Sequence, residues 1–152
     1  MKNRIVPLYK PLISKVEKIY VNKCLNDNWI SSTGDFIQKF ESGFSNFTKI
    51  KFCTTTSNGT VALHLALKVL EICKNDEVIV PAFTYIASVN CIRYVNAKPV
   101  FCDSNLITGQ IDLNDLTKKI SKKTKAIIVP HLYGNVLNIE KLLKIKKKYK
   151  IF

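Results

Sequence analysis

"KFCTTTSNGTVALHLAL" (residues 51–67) runs from a short apolar, β-branched segment through a turn of small polar residues straight into a long apolar helical pattern. A helix that begins at such a turn presents unpaired backbone N–H groups and the positive end of its dipole, which together favour an anion. Gly59 lets the backbone approach the anion closely, and Ser57, Asn58 and Thr60 add side-chain donors. Neither GxxxxGK[ST] nor GxGxxG is present, so the turn lacks the marks of a nucleoside triphosphate or dinucleotide site. A single terminal phosphate fits it better. Capping of the helix by Ser57 or Asn58 accounts for the same residues.

Outward from this stretch the sequence repeats one unit, a short apolar run followed by a helix. "KFCTT" precedes a helix over 59–72, "EVIVP" one over 84–95, "KPVFCD" one over 112–120, and "KAIIVP" one over 138–149. Four such units predict an α/β fold of three layers, a mostly parallel sheet with crossover helices on its faces. "VIV" and "AIIV" are apolar on both sides, as strands covered on both faces should be. "KND", "TGQ" and "YGN" supply the tight connections. Before the repeat, residues 12–25 and "STGDFIQKFESGFSNF" carry apolar residues at helical spacing and predict two amphipathic helices.

Ligands collect beyond the carboxyl ends of the strands of an open parallel sheet. Those positions are "TTSNGT" (55–60), "PAFTY" (81–85), "CDSN" (102–105) and "PHLYGN" (130–135). Phe83 and Tyr85 stand at the second, where an aromatic ring can stack on a flat heterocycle; packing into the next helix would also explain them. A phosphate site beside an aromatic suggests a flat, singly phosphorylated cofactor, a description that pyridoxal phosphate fits. The helix over 59–72 is apolar almost all round, with His64, Lys68 and Glu71 as a narrow polar stripe, so it is expected to be buried on most sides. His64 reads as part of that stripe rather than as a base.

The chain has 152 residues, 47% of them hydrophobic, and a formal charge of +13, enough for one substantial core. Among the 24 basic residues only Arg4 and Arg93 are arginines, and the lysine groups at 118–125 and 141–150 fall on expected helix surfaces. A solvated face explains them better than a nucleic-acid footprint, which favours the guanidinium fork. On the second group Leu142, Leu143 and Ile145 are expected to form the apolar side. No apolar run is long enough for a membrane span and the start lacks a signal-peptide core, so a cytoplasmic protein is expected. The five cysteines include no CxxC pair and read as reduced, mostly buried thiols.

Four tracts in order carry a resemblance: "NDNWISSTGDFIQKFE", "TSNGTVALHLALKVL", "NDEVIVPAFTYIASVNCIRYVNAKPVFCD" and "IDLNDLTKKISKKTKAIIVPHLYGN". Over nearly its whole length the chain resembles the N-terminal part of the DegT/DnrJ/EryC1/StrS family of nucleotide-sugar aminotransferases, and "SNGT" looks most like the perosamine synthase branch. The resemblance implies an incomplete large domain of a type I pyridoxal-phosphate fold, with residues 1–32 as an N-terminal helix and substrate-side segment and 33–152 as part of the cofactor-binding domain. It implies a homodimer, a nucleotide-linked keto sugar as substrate and glutamate as amino donor, in surface polysaccharide or deoxysugar synthesis.

By the same resemblance Ser57, Asn58, Gly59 and Thr60 hold the cofactor phosphate and Tyr85 stacks on its ring, while Trp29, Ser31 and Ser32 line the sugar-nucleotide site. The family's Schiff-base lysine and ring-nitrogen aspartate match no position here, so no catalytic residue is assigned and the chain alone is expected to be inactive. "YKIF" reads as the start of a further strand, which suggests a fragment. Two alternatives stand beside the aminotransferase reading, a sugar 3-dehydratase of the same fold and a non-catalytic, partner-binding chain.

Overall fold

A computed structural model describes residue 7 and residues 9–152. The beginning of the expected substrate-side segment, residues 1–6 and 8, lies outside the described residues. Two compact units are present, one ending at Thr55 and the other running from Thr56 to Phe152.

The first unit holds α1 (Lys15–Asn26) and α2 (Asp35–Thr48). Helix α1 starts on a capping box: the Ser14 hydroxyl accepts from the Val16 N–H while Glu17 accepts from the Ser14 backbone N–H. That box sets the start three residues later than the apolar periodicity alone suggests. Tyr20 of α1 packs against Phe36 of α2 with ring centroids 5.0 Å apart. No residue of either helix is fully buried, and Phe47 is 84% exposed.

The second unit contains α3 (Gly59–Val69), β1 (Glu77–Pro81), α4 (Ala87–Tyr94), β2 (Lys98–Cys102), α5 (Leu113–Lys119), β3 (Thr124–Ile127), a 3-10 turn (Leu132–Gly134) and α6 (Ile139–Tyr149). Its three strands form a parallel sheet in the order β2-β1-β3. Backbone bonds from Ile127 N–H to the Phe152 carbonyl and from Phe152 N–H to the Lys125 carbonyl extend the ladder beyond β3.

Alternation along β1 sorts the core into two layers. Val78 and Val80 pack with Leu67 of α3 and Cys91 and Ile92 of α4 on one face. Ile79 packs on the other with Cys102, Leu116 of α5, and Leu142 and Ile145 of α6. The expected three-layer architecture is therefore present.

Four details differ from the sequence expectations. "KFCTT" does not form a strand: no ladder partner for it exists among the described residues, and the Thr55 N–H donates to the Glu41 carboxylate instead. Helix α3 ends at Val69, with Glu71 in the left-handed region, and it is covered on one side only: Leu67 is buried while Val61, Leu65 and Val69 are exposed. On α6, Leu143 faces solvent and only Leu142 and Ile145 pack inward. All five thiols are free, but only Cys91 and Cys102 are buried, and Cys73 is exposed.

At the amino edge of the sheet Glu77 ties three segments together. It accepts from Ser121 Oγ at 2.6 Å and from Lys98 Nζ at 3.1 Å. The Ser121 bond above all, and then Lys98, hold its carboxyl below the ordinary 4.5. A depressed folded pKa means stability that is present above the unfolded value and lost as the pH falls through the folded one. The stability difference between wild type and Glu77→Gln should accordingly be constant above about pH 5 and shrink below 4.5, as followed by urea titration. A difference that grows on acidification would contradict this.

Candidate functional site

Helices α3 and α4 join β1 through short connections and pack on one of its faces, so both run antiparallel to it. Their N-termini therefore stand at the carboxyl edge of the sheet, the "SNGT" turn at one and the Phe83–Tyr85 loop at the other. After β1 the chain passes to the α4 face, and after β3 to the α6 face. Neighbouring strands whose connections leave toward opposite faces open a crevice between them, the usual ligand position of such sheets.

At the turn, a helix cap and a pair of N–H groups without an acceptor occur side by side. Asn58 is the N-cap, and its Oδ1 accepts from the Val61 N–H at 3.0 Å, while its carbonyl accepts from the Ala62 N–H at 3.1 Å. The Thr56 hydroxyl donates to the same carbonyl at 3.1 Å and stiffens the approach. The N–H groups of Gly59 and Thr60 find no acceptor among the described residues. Capping thus uses the third helical N–H and leaves the first two, with Ser57, Asn58 and Gly59 exposed to solvent. A Cβ built on Gly59 meets nothing within 4 Å, so the described residues leave open the space beside its Cα. An oxyanion fits this donor set: two aligned N–H groups, flanked by the Ser57 and Thr60 hydroxyls. The Asn58 amide oxygen, committed to the helix, organises the turn.

Tyr85 is 76% exposed, which rules out the core-packing alternative for it. The loop that carries it is braced from both sides. Thr84 Oγ1 and the buried Ser88 Oγ lie 3.2 Å apart across the first turn of α4. Phe83 lies along Gly109, where a Cβ would stand 3.5 Å from its ring and where φ is +68°. Thr108, next to Gly109, accepts from Asn135 Nδ2 at 2.9 Å. The loops after β1, β2 and β3 are thereby linked one to the next. Thr56, Ser88 and Asn135 were not singled out from the sequence; only the i, i+4 spacing of Thr84 and Ser88 gave a local signal.

At the carboxyl end of β2 the Cys102 side chain is buried. Burial, then the neighbouring Asp115, push the Cys102 thiol up to about 12. Asp115 is held below the usual carboxylate range by the Asp103 N–H, at 2.8 Å. A thiol with that pKa is no nucleophile at neutral pH.

Trp29, Ser31 and Ser32 belong to the first unit. Trp29 and Ser31 line a cavity of about 120 Å³ together with Lys23, Cys24, Asp27 and Gly34; Ser32 is exposed outside it. That volume is small beside the roughly 300–1,000 Å³ of a typical ligand pocket, so at most part of a substrate would enter it.

The sequence profile of the DegT/DnrJ/EryC1/StrS aminotransferase family matches residues 11–152. The chain belongs to this family. It is 49% identical over 149 residues to a GDP-perosamine synthase of Escherichia coli O157:H7, covering 98% of this chain and 41% of that protein. A GDP-perosamine synthase of Vibrio cholerae is 46% identical over 138 residues, covering 91% and 38%. The chain thus spans about two fifths of the length of these curated relatives. Its fold matches an aminotransferase from Psychrobacter cryohalolentis with a TM-score of 0.88 at 31% identity, over 93% of this chain and 36% of that one. NtdA from Bacillus subtilis, solved with bound cofactor PMP, matches with a TM-score of 0.85 at 26% identity, over 99% and 37%. In keeping with the sequence reading, this chain has an α/β fold with a parallel sheet, and the family is one of aminotransferases. No helix among the described residues is long and apolar enough to cross a membrane.

Proposed function

We propose that the intact protein carrying this chain is a pyridoxal-phosphate-dependent aminotransferase that passes an amino group, from glutamate, to the keto carbon of a nucleotide-linked deoxysugar. The observation that carries the reading is the pair of N–H groups at Gly59 and Thr60 that lack an acceptor among the described residues, at the carboxyl edge of the parallel sheet, where the Tyr85 loop also stands. High identity to two GDP-perosamine synthases supports the substrate class. Residues 1–32 form the substrate-side segment in this reading and 33–152 part of the cofactor-binding domain, in a cytoplasmic homodimer that serves surface polysaccharide synthesis.

When bound, the cofactor supplies an electron sink and a carrier for the amino group. This chain's share is binding and orientation. The Gly59 and Thr60 N–H groups, with the Ser57 and Thr60 hydroxyls, would hold the phosphate dianion, and the dipole of α3 favours its charge. Tyr85 would cover one face of the ring, fixing its plane and excluding water from that side. Trp29, Ser31 and Ser32 would line the path of the sugar nucleotide. The amino-group chemistry requires a lysine, which this chain is not assigned.

Incubation of the intact protein with pyridoxal phosphate, glutamate and a nucleotide-linked keto-deoxysugar tests the function. Equimolar 2-oxoglutarate and amino sugar are expected. Loss of a sugar hydroxyl without nitrogen transfer would instead identify a dehydratase. The ring contact has its own test: Tyr85→Ala should weaken cofactor binding about 5- to 10-fold through lost stacking, and Tyr85→Phe should change it little. Equal behaviour of the two variants in an absorbance titration would remove Tyr85 from the ring face.

A further inference from the structure

The loop after β3 carries an aromatic ring on a turn whose backbone does not suit it. Residues 132–135 close that turn: the Asn135 N–H donates to the Leu132 carbonyl at 3.0 Å, and both central residues have positive φ, +56° at Tyr133 and +78° at Gly134. Two positive φ values in succession are the condition of a type I′ turn, which Asn-Gly meets without strain. Tyrosine at the first central position is costly, because in the left-handed region its Cβ crowds the following carbonyl. The side chain returns no packing in compensation: Tyr133 is 98% exposed. The turn beneath it is nevertheless firmly held. The Gly134 N–H donates to the His131 carbonyl at 3.1 Å, and Asn135 Nδ2 donates to the Thr108 carbonyl at 2.9 Å. A bulky residue kept in a strained conformation, in the open and on a braced turn, points to a ligand contact. Its position agrees. The turn lies just beyond the carboxyl end of β3, on one side of the crevice whose other side is the Tyr85 loop after β1.

We infer that Tyr133 is a substrate-binding residue whose ring stacks on the nucleobase of the sugar nucleotide. The inference rests on the substrate reading proposed above. In that reading Tyr85 covers the cofactor ring, which leaves the exposed ring across the crevice for the second substrate. A planar heterocycle is the part of a sugar nucleotide that the face of a tyrosine takes best. The base is also the end of that substrate farthest from the reacting keto carbon, which suits a ring standing out at the rim of the sheet.

The test reads stability and binding together on the intact protein. Tyr133→Asn, which supplies the preferred turn residue, is expected to melt at or above the wild-type temperature. It should raise the KM for a nucleotide-linked keto-deoxysugar about 10-fold. It should raise by the same factor the inhibition constant of whichever of guanosine, uridine and thymidine diphosphate the wild type binds best, with the affinity for pyridoxal phosphate unchanged. Tyr133→Phe keeps the ring face and should hold both constants within about 2-fold of wild type. A lower melting temperature for Tyr133→Asn would show that the ring packs against protein and would overturn the inference. So would an unchanged KM, or a KM that rises while the inhibition constant does not, which places the ring on the sugar. A wild type that binds neither the sugar nucleotide nor any of the three diphosphates removes the substrate reading and the role of Tyr133 with it. A wild type that binds them, and a Tyr133→Asn variant that binds them equally well, remove the role of Tyr133 alone.

Discussion

Gly59→Val should weaken binding of pyridoxal phosphate to the intact protein by about 10- to 100-fold, the equivalent of one lost hydrogen bond to a charged group, while leaving the protein folded. The separation of the two effects follows from the geometry. A Cβ at Gly59 meets no protein atom within 4 Å, so the fold has room for the new side chain. The same open space is what an anion must enter to reach the Gly59 and Thr60 N–H groups. A branched side chain therefore blocks the ligand and not the helix. An absorbance titration with the cofactor, alongside a thermal melt, checks both halves; unchanged affinity would remove the turn from the site.

Ile79→Ala should destabilise the sheet by about 2–5 kcal/mol, with no direct effect on the turn. Ile79 is fully buried in the middle of the central strand and packs with Cys102, Ile111 and Leu116. Strands on both sides and helices below leave little room for the neighbours to collapse into the void, which is the condition for a large cavity term. Urea titration of the intact protein measures it. A loss under about 1 kcal/mol would mean that the layer under β1 is loosely packed.

The parts of the fold legible in the sequence were those written locally. "EVIVP", "KPVFC" and the β3 run are short apolar segments bounded by turn residues, and the alternation of Val78, Ile79 and Val80 already separates two faces. Asn75, Gly109 and Gly134 take positive φ in the three tight connections where turn residues were expected. "KFCTT" misled because a β-branched run records a preference, whereas a strand requires a partner elsewhere in the chain. The periodicity of α3 was read correctly, but an apolar surface does not say what will cover it, and Val61, Leu65 and Val69 are exposed here.

The site divides in the same way. The small polar turn was readable as the start of a helix, while Tyr85 stood open between stacking and core packing, and the structure leaves it exposed. Whether Asn58 capped α3 or left its donors free was open in sequence; the geometry answers that it caps Val61 and leaves Gly59 and Thr60. The bonds of Glu41 to Thr55 and of Asn135 to Thr108 join residues 14 and 27 positions apart. No helical or strand period links such pairs, so nothing local announces them.

A crystal structure of the intact protein with pyridoxal phosphate tests the central claim most directly. The account predicts phosphate oxygens within hydrogen-bonding distance of the Gly59 and Thr60 N–H groups, with the ring lying against Tyr85. A phosphate held elsewhere, with the turn at the head of α3 contacting only solvent, would contradict it.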